Sequence, residues 1–135
     1  MRVLIALLLL ALGSPAVAKV CSIPEAKAAE TISSSLKTWP AIYRAYRQYG
    51  HCDDGAISEG FSESVVHLLA SRWHALDKAQ HIIAKDPSFQ EFIVRHVDST
   101  ADGAEVNLVG SNASRHCPKS AARLCQQLVM AAREQ

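Results

Sequence analysis

Apolar residues along this chain recur at three- and four-residue spacing, the period of α-helices, and no stretch alternates as a half-buried strand would. Over 25–37, Ala28, Ala29, Ile32 and Leu36 mark one helical face, with Ser22 and Pro24 placed to open it. Thr38-Trp39-Pro40 then breaks and restarts the chain. Pro40 suits a first helical turn, and Ile42, Tyr43, Tyr46 and Tyr49 come next before Gly50 supplies a C-terminal cap. The longest periodic stretch predicts one helix from Ala56 to Lys85, capped by Asp53 or Asp54. At ~100° per residue, its Val65, Val66, Leu69, Trp73, Leu76 and Ile83 fall within roughly 60° of one direction and form a core face. Asp86-Pro87 stops this helix and starts another, striped by Phe89, Phe92, Ile93 and Val97. A weaker helix over Ala101 to Ser114 is interrupted by Gly103 and Gly110. Cys117-Pro118 repeats the cap-then-proline pattern before Ala121, Leu124, Cys125, Leu128, Val129 and Ala132. The pattern predicts an all-α fold, a compact bundle of five or six helices.

The amino end reads differently. Arg2, the unbroken apolar run Val3 to Leu12, the helix-breaking Gly13-Ser14-Pro15 and the small residues of Ala16-Val17-Ala18 compose a removable export signal over residues 1–18. The run is far short of the ~20 residues that span a bilayer, so no permanent membrane anchor is expected. The mature segment, 19–135, is the length of a single domain with a core of its own. All four cysteines, Cys21, Cys52, Cys117 and Cys125, fall within it, and in a periplasmic or secreted protein they predict two disulfides stapling the bundle. If Cys117 opens the last helix and Cys125 lies two turns in, they stand about 12 Å apart at ~1.5 Å per residue. A disulfide needs Cα atoms within ~7 Å, so Cys117 and Cys125 are not expected to pair with each other. Cys21 with Cys117 and Cys52 with Cys125, or Cys21 with Cys125 and Cys52 with Cys117, remain.

Charge narrows the partners. The 14 basic residues stand against 13 acidic ones, and loss of Arg2 with the signal balances them. Nucleic-acid binding wants a basic excess or stripe and is not expected. No helix pairs a Lys/Arg-rich face with a strongly apolar one, so a membrane-surface role is not expected either.

Two constellations carry candidate chemistry. His67, His74 and His81 recur every seven residues on one polar face of the predicted long helix. At about 10.5 Å between neighbours they are too far apart to share one metal ion. The spacing suits a solvated face or a partner-binding ridge, and neither metal nor cofactor is expected. His51-Cys52-Asp53-Asp54-Gly55, with Glu59 beyond, is the densest cluster of capable side chains. Asp53, Asp54 and Glu59 compose a candidate acidic edge for a protein partner. His51 oriented by Asp53 or Asp54 would instead make a general base for a small secreted hydrolase. No G-x-S-x-G, H-E-x-x-H, C-x-x-C or P-loop motif accompanies it.

The export signal, the tyrosine-rich helix ending Tyr49-Gly50-His51-Cys52 and the late Cys117-Pro118 give a chain that resembles, in class, the periplasmic immunity proteins of bacterial secretion-system toxins. That resemblance implies a non-catalytic protein that binds a cognate secreted toxin, or another envelope protein, and occludes it.

Overall fold

The structure is a computed structural model and describes residues 18–135; the export signal expected over 1–18 lies outside these residues except for Ala18. Among the described residues every regular element is helical. Seven α-helices succeed one another: α1 (Ile23–Ser33), α2 (Trp39–Tyr49), α3 (Gly55–Ser71), α4 (Leu76–Ile83), α5 (Ser88–Arg95), α6 (Gly103–Arg115) and α7 (Ala122–Arg133). The all-α class holds, with seven helices where the periodicity predicts five or six.

Local chemistry sets most boundaries. Ser22 and Glu25 form a reciprocal capping box at α1. Thr38 caps α2 through its hydroxyl, and Pro40 sits in the first turn. Asp54 accepts from the Gly55 N–H to open α3, where Gly55 adopts φ 52°, a backbone that residues with a Cβ rarely take up. Asp102 accepts the Glu105 N–H at the head of α6.

The extra helix comes from a break in the long one. At Arg72 the backbone leaves the helical region, and a 3-10 turn, Trp73–Ala75, separates α3 from α4. Neither glycine nor proline causes this. The Asn112 side chain of α6 donates to the Leu69 and Ala70 carbonyls, which end α3, and the Trp73 indole N–H donates to the His116 carbonyl. Tertiary partners thus take over groups that a continuous helix would have used itself. Trp73 is consequently half-buried at the turn, while Val65, Val66, Leu69, Leu76 and Ile83 lie in the core as expected.

α3 is the axis of the molecule, contacting α1, α2 and α6, and α6 runs along α7. Phe61 of α3, Trp39, Tyr43 and Tyr46 of α2, and Phe89 and Phe92 of α5 form a continuous aromatic cluster with centroids 4.7–6.5 Å apart. The tyrosines therefore pack against the core and do not form a free aromatic patch.

All four cysteines are paired, but not as the helix argument requires. The disulfides are Cys21–Cys52 and Cys117–Cys125. The expectation fails because Cys117 does not open a helix. Pro118 is extended, with ψ 143°, a 3-10 turn occupies Lys119–Ala121, and α7 starts only at Ala122. The folded-back approach leaves the Cα atoms of Cys117 and Cys125 6.0 Å apart. Two disulfides suit an oxidising compartment. No helix among the described residues is long and apolar enough to cross a membrane.

Candidate functional site, an acidic trough beside a sealed charge network

An open polar groove begins where α1 and α3 come together. Gly60 makes this approach possible: a Cβ there would overlap Ser33 Oγ and stand 2.8 Å from Ser33 Cβ and 3.0 Å from the Ser34 nitrogen. Ser64, one turn further along α3, secures the same contact. Its hydroxyl donates to the Ser33 carbonyl, an acceptor freed where α1 ends, and accepts from the Leu36 N–H at 3.1 Å. Above this seam the loop into α6 closes a groove of about 490 Å³ between α1, α3 and the head of α6. Five carboxylates line it, Glu30, Glu59, Glu63, Asp102 and Glu105, and no Lys, Arg or His does. Ser34, Glu63 and Glu105 also line an adjoining depression of about 310 Å³, which reaches Lys37 and His67. The two form one trough. Glu105 meets His67 Nδ1 at 2.9 Å, whereas Glu30, Glu59 and Glu63 enter no salt bridge among the described residues.

Of the residues singled out from the sequence, Glu59 and His67 thus lie on this trough, at opposite ends. His74 lies in the 3-10 turn after α3, and His81 on α4 is tied to the Asp77 carbonyl at 2.7 Å. The break at Arg72 separates the three histidines onto different elements, so the straight ridge expected from a single helix does not exist. No three His, Cys, Asp or Glu side chains among the described residues converge to hold a metal ion.

The His51 cluster divides. Asp54 caps α3, and Asp53, its side chain only 5% exposed, turns inward to His96 Nε2 at 3.1 Å and to the Arg95 guanidinium. Asp53 is therefore absent from the exposed acidic edge. His51 Nε2 lies 3.3 Å from Glu25 Oε1, an ion-pair distance without hydrogen-bond geometry. Hydrogen bonds from Lys19 and from the Ser22 hydroxyl and N–H, helped by His51 against partial burial, lower the Glu25 carboxyl to about 2. The general base paired with Asp53 or Asp54 is not assembled.

A second network has no signature in the sequence. His96 is fully buried; besides Asp53 it meets Ser62 Oγ through Nδ1 at 3.0 Å, and Ser62 Oγ donates to Asp98 Oδ2 at 2.8 Å. Serine, histidine and aspartate here stand at the spacing of a hydrolytic triad, yet Ser62 and His96 are 0% exposed. A nucleophile must touch its substrate, so this arrangement works as a sealed charge network joining the turn before α3, α3 itself and the α5–α6 loop. Burial raises the Asp53 carboxyl, but the hydrogen bonds and charges of His96 and Arg95 outweigh it and leave a net lowering. Asp98 is likewise lowered on balance, burial being outweighed by Thr100, Ser62 and the His96 charge.

Comparison with protein-family models, curated proteins and solved structures finds no match to this chain.

Proposed function

We propose that this protein is an exported, non-catalytic binding protein of the immunity type, which binds and occludes a cognate secreted toxin in the periplasm. The observation that supports this reading is the trough: an open, strongly acidic surface built on helices, on a body cross-linked twice. Charged surfaces of one sign steer and orient a partner of the other sign. The Ser62–His96–Asp53 network lends no support to chemistry, because no substrate reaches it without opening the core.

The test pairs the protein with the secreted toxin encoded beside it. Purified protein should bind that toxin and protect cells when exported, while showing no turnover of ester, phospholipid or peptidoglycan substrates. Turnover that disappears with His51→Ala would refute the binding reading in favour of a small hydrolase.

A further inference from the structure

We propose that the sealed network is a proton-operated latch: His96 carries both ring protons in the folded protein, and loss of one of them unties the loop between α5 and α6 from α3. Such a device is independent of what the protein binds.

Counting hydrogens fixes the charge of His96. Ser62 Oγ has three polar neighbours, the Ser58 carbonyl at 3.1 Å, Asp98 Oδ2 at 2.8 Å and His96 Nδ1 at 3.0 Å. Asp98 is held as a carboxylate, since its other oxygen accepts both the N–H and the hydroxyl of Thr100. The carbonyl and the carboxylate only accept, and the serine hydroxyl has a single hydrogen to give. Whichever of them it serves, nothing is left for Nδ1. That nitrogen must bring its own hydrogen, because otherwise two lone pairs would face each other at 3.0 Å. On the far side of the ring Nε2 meets Asp53 Oδ2 at 3.1 Å, again a group that only accepts. Both nitrogens are donors, which makes the ring an imidazolium.

The charge is matched. Facing His96 are Asp53 from the turn before α3, Asp98 from the loop after α5, reached through Ser62, and Arg95, its neighbour in α5, which pairs with Asp53. Two cations thus balance two carboxylates, the condition under which a buried ion is tolerated. Phe61 of α3 and Phe92 of α5 complete the surroundings, with centroids 5.7 and 4.4 Å from the imidazole.

Removal of one proton breaks this arrangement at a single place. The Nδ1 hydrogen is the one to leave, because it goes to a neutral hydroxyl and the Nε2 hydrogen to a carboxylate. Nδ1, Asp98 and the Ser58 carbonyl then compete for the one Ser62 hydrogen. Asp98 is the member able to withdraw: it is half-buried in a loop and keeps its bonds to Thr100 there, whereas Ser58 and Ser62 are fixed on α3 and His96 is 0% exposed. A folded chain that holds a proton which the unfolded chain has given up loses stability as pH rises. For one proton the folding constant falls up to about tenfold per pH unit.

Long-range proton–nitrogen spectra of oxidised protein, labelled at its histidine nitrogens and recorded from pH 6 to pH 9.5, read the ring directly. At pH 7.5, where a free histidine is mostly neutral (~6.5), His96 should show two protonated ring nitrogens. Nδ1 should lose its proton at higher pH, and amide exchange over 97–102, corrected for its intrinsic pH dependence, should quicken at least about tenfold in step, with the middle of α3 unchanged. In Asp98→Asn the new amide can donate to Ser62 and free its hydroxyl for Nδ1, so His96 should be neutral at pH 7.5 and loop exchange should no longer follow pH. One bare ring nitrogen at pH 7.5 in wild type would overturn the charge assignment and the latch with it. Two ring protons kept to pH 9.5, or loop exchange that ignores the loss of one, would overturn the latch. So would a His96 ring that titrates in Asp98→Asn as in wild type; if that variant does not fold, Ser62→Ala makes the same prediction, and the wild-type spectra decide without either.

Discussion

Gly60 has no side chain because Ser33 occupies the space where one would be. Gly60→Ala should therefore force α1 and α3 apart and cost about 1–3 kcal/mol, the range for overpacked contacts. Thermal melts would show it, and the combination with Ser33→Gly, which removes both side-chain atoms in the way, should recover part of the loss. The sealed network makes a second prediction at single residues. Asp53 and Asp98 are held below the ordinary carboxyl value of 3.8 in the folded protein. Above 3.8 the folded and unfolded states both keep them charged, and their contribution to stability is complete. As pH falls from 3.8 through the lower folded values the unfolded chain takes up protons first, and that contribution is lost. Urea unfolding between pH 5 and pH 2 should thus show a fall in stability over this window that is shallower in Asp98→Asn than in wild type.

Helix faces were legible in the sequence where periodicity and caps agreed. Ser22 and Asp54 sit at helix heads as expected, and the apolar stripes of α2, α5 and α7 face the core. Two boundaries were not legible, and for the end of α3 the groups that fix it are distant in sequence. Asn112 ends α3 from 42 and 43 residues away, and the stretch after Pro118 yields a turn where the proline signal predicts a helix start. The trough was half legible, through Glu59 and His67. Gly60 and Ser64, small residues four apart on α3, were the overlooked sign that another helix comes close there. These differences change what substitution should do. Leu128 is 0% exposed, and Leu128→Ala should cost roughly 2–5 kcal/mol. Trp73, half-buried at the break, should cost less when truncated than core Trp39, for which roughly 3–5 kcal/mol is expected. Equal losses at the two tryptophans in thermal melts would place Trp73 back on a continuous core face.

For the molecule as a whole the two disulfides have unequal weight. Cys21–Cys52 spans 31 residues and Cys117–Cys125 only 8. Loop closure in the unfolded chain gives about 3.5 kcal/mol for the first and about 2.5 kcal/mol for the second. Replacing Cys21 and Cys52 together by Ala should accordingly lower the melting temperature more than replacing Cys117 and Cys125, and non-reducing peptide maps should contain these two cross-links alone. The pattern also bears on how the chain reaches its final state. Taken in the order of synthesis, the first cysteine pairs with the second and the third with the fourth. For a chain threading through a membrane amino end first, the correct partner of each waiting thiol is always the next to emerge. Oxidation that keeps pace with translocation reaches the native cross-links directly, and no wrongly joined pair has to be undone by thiol–disulfide exchange.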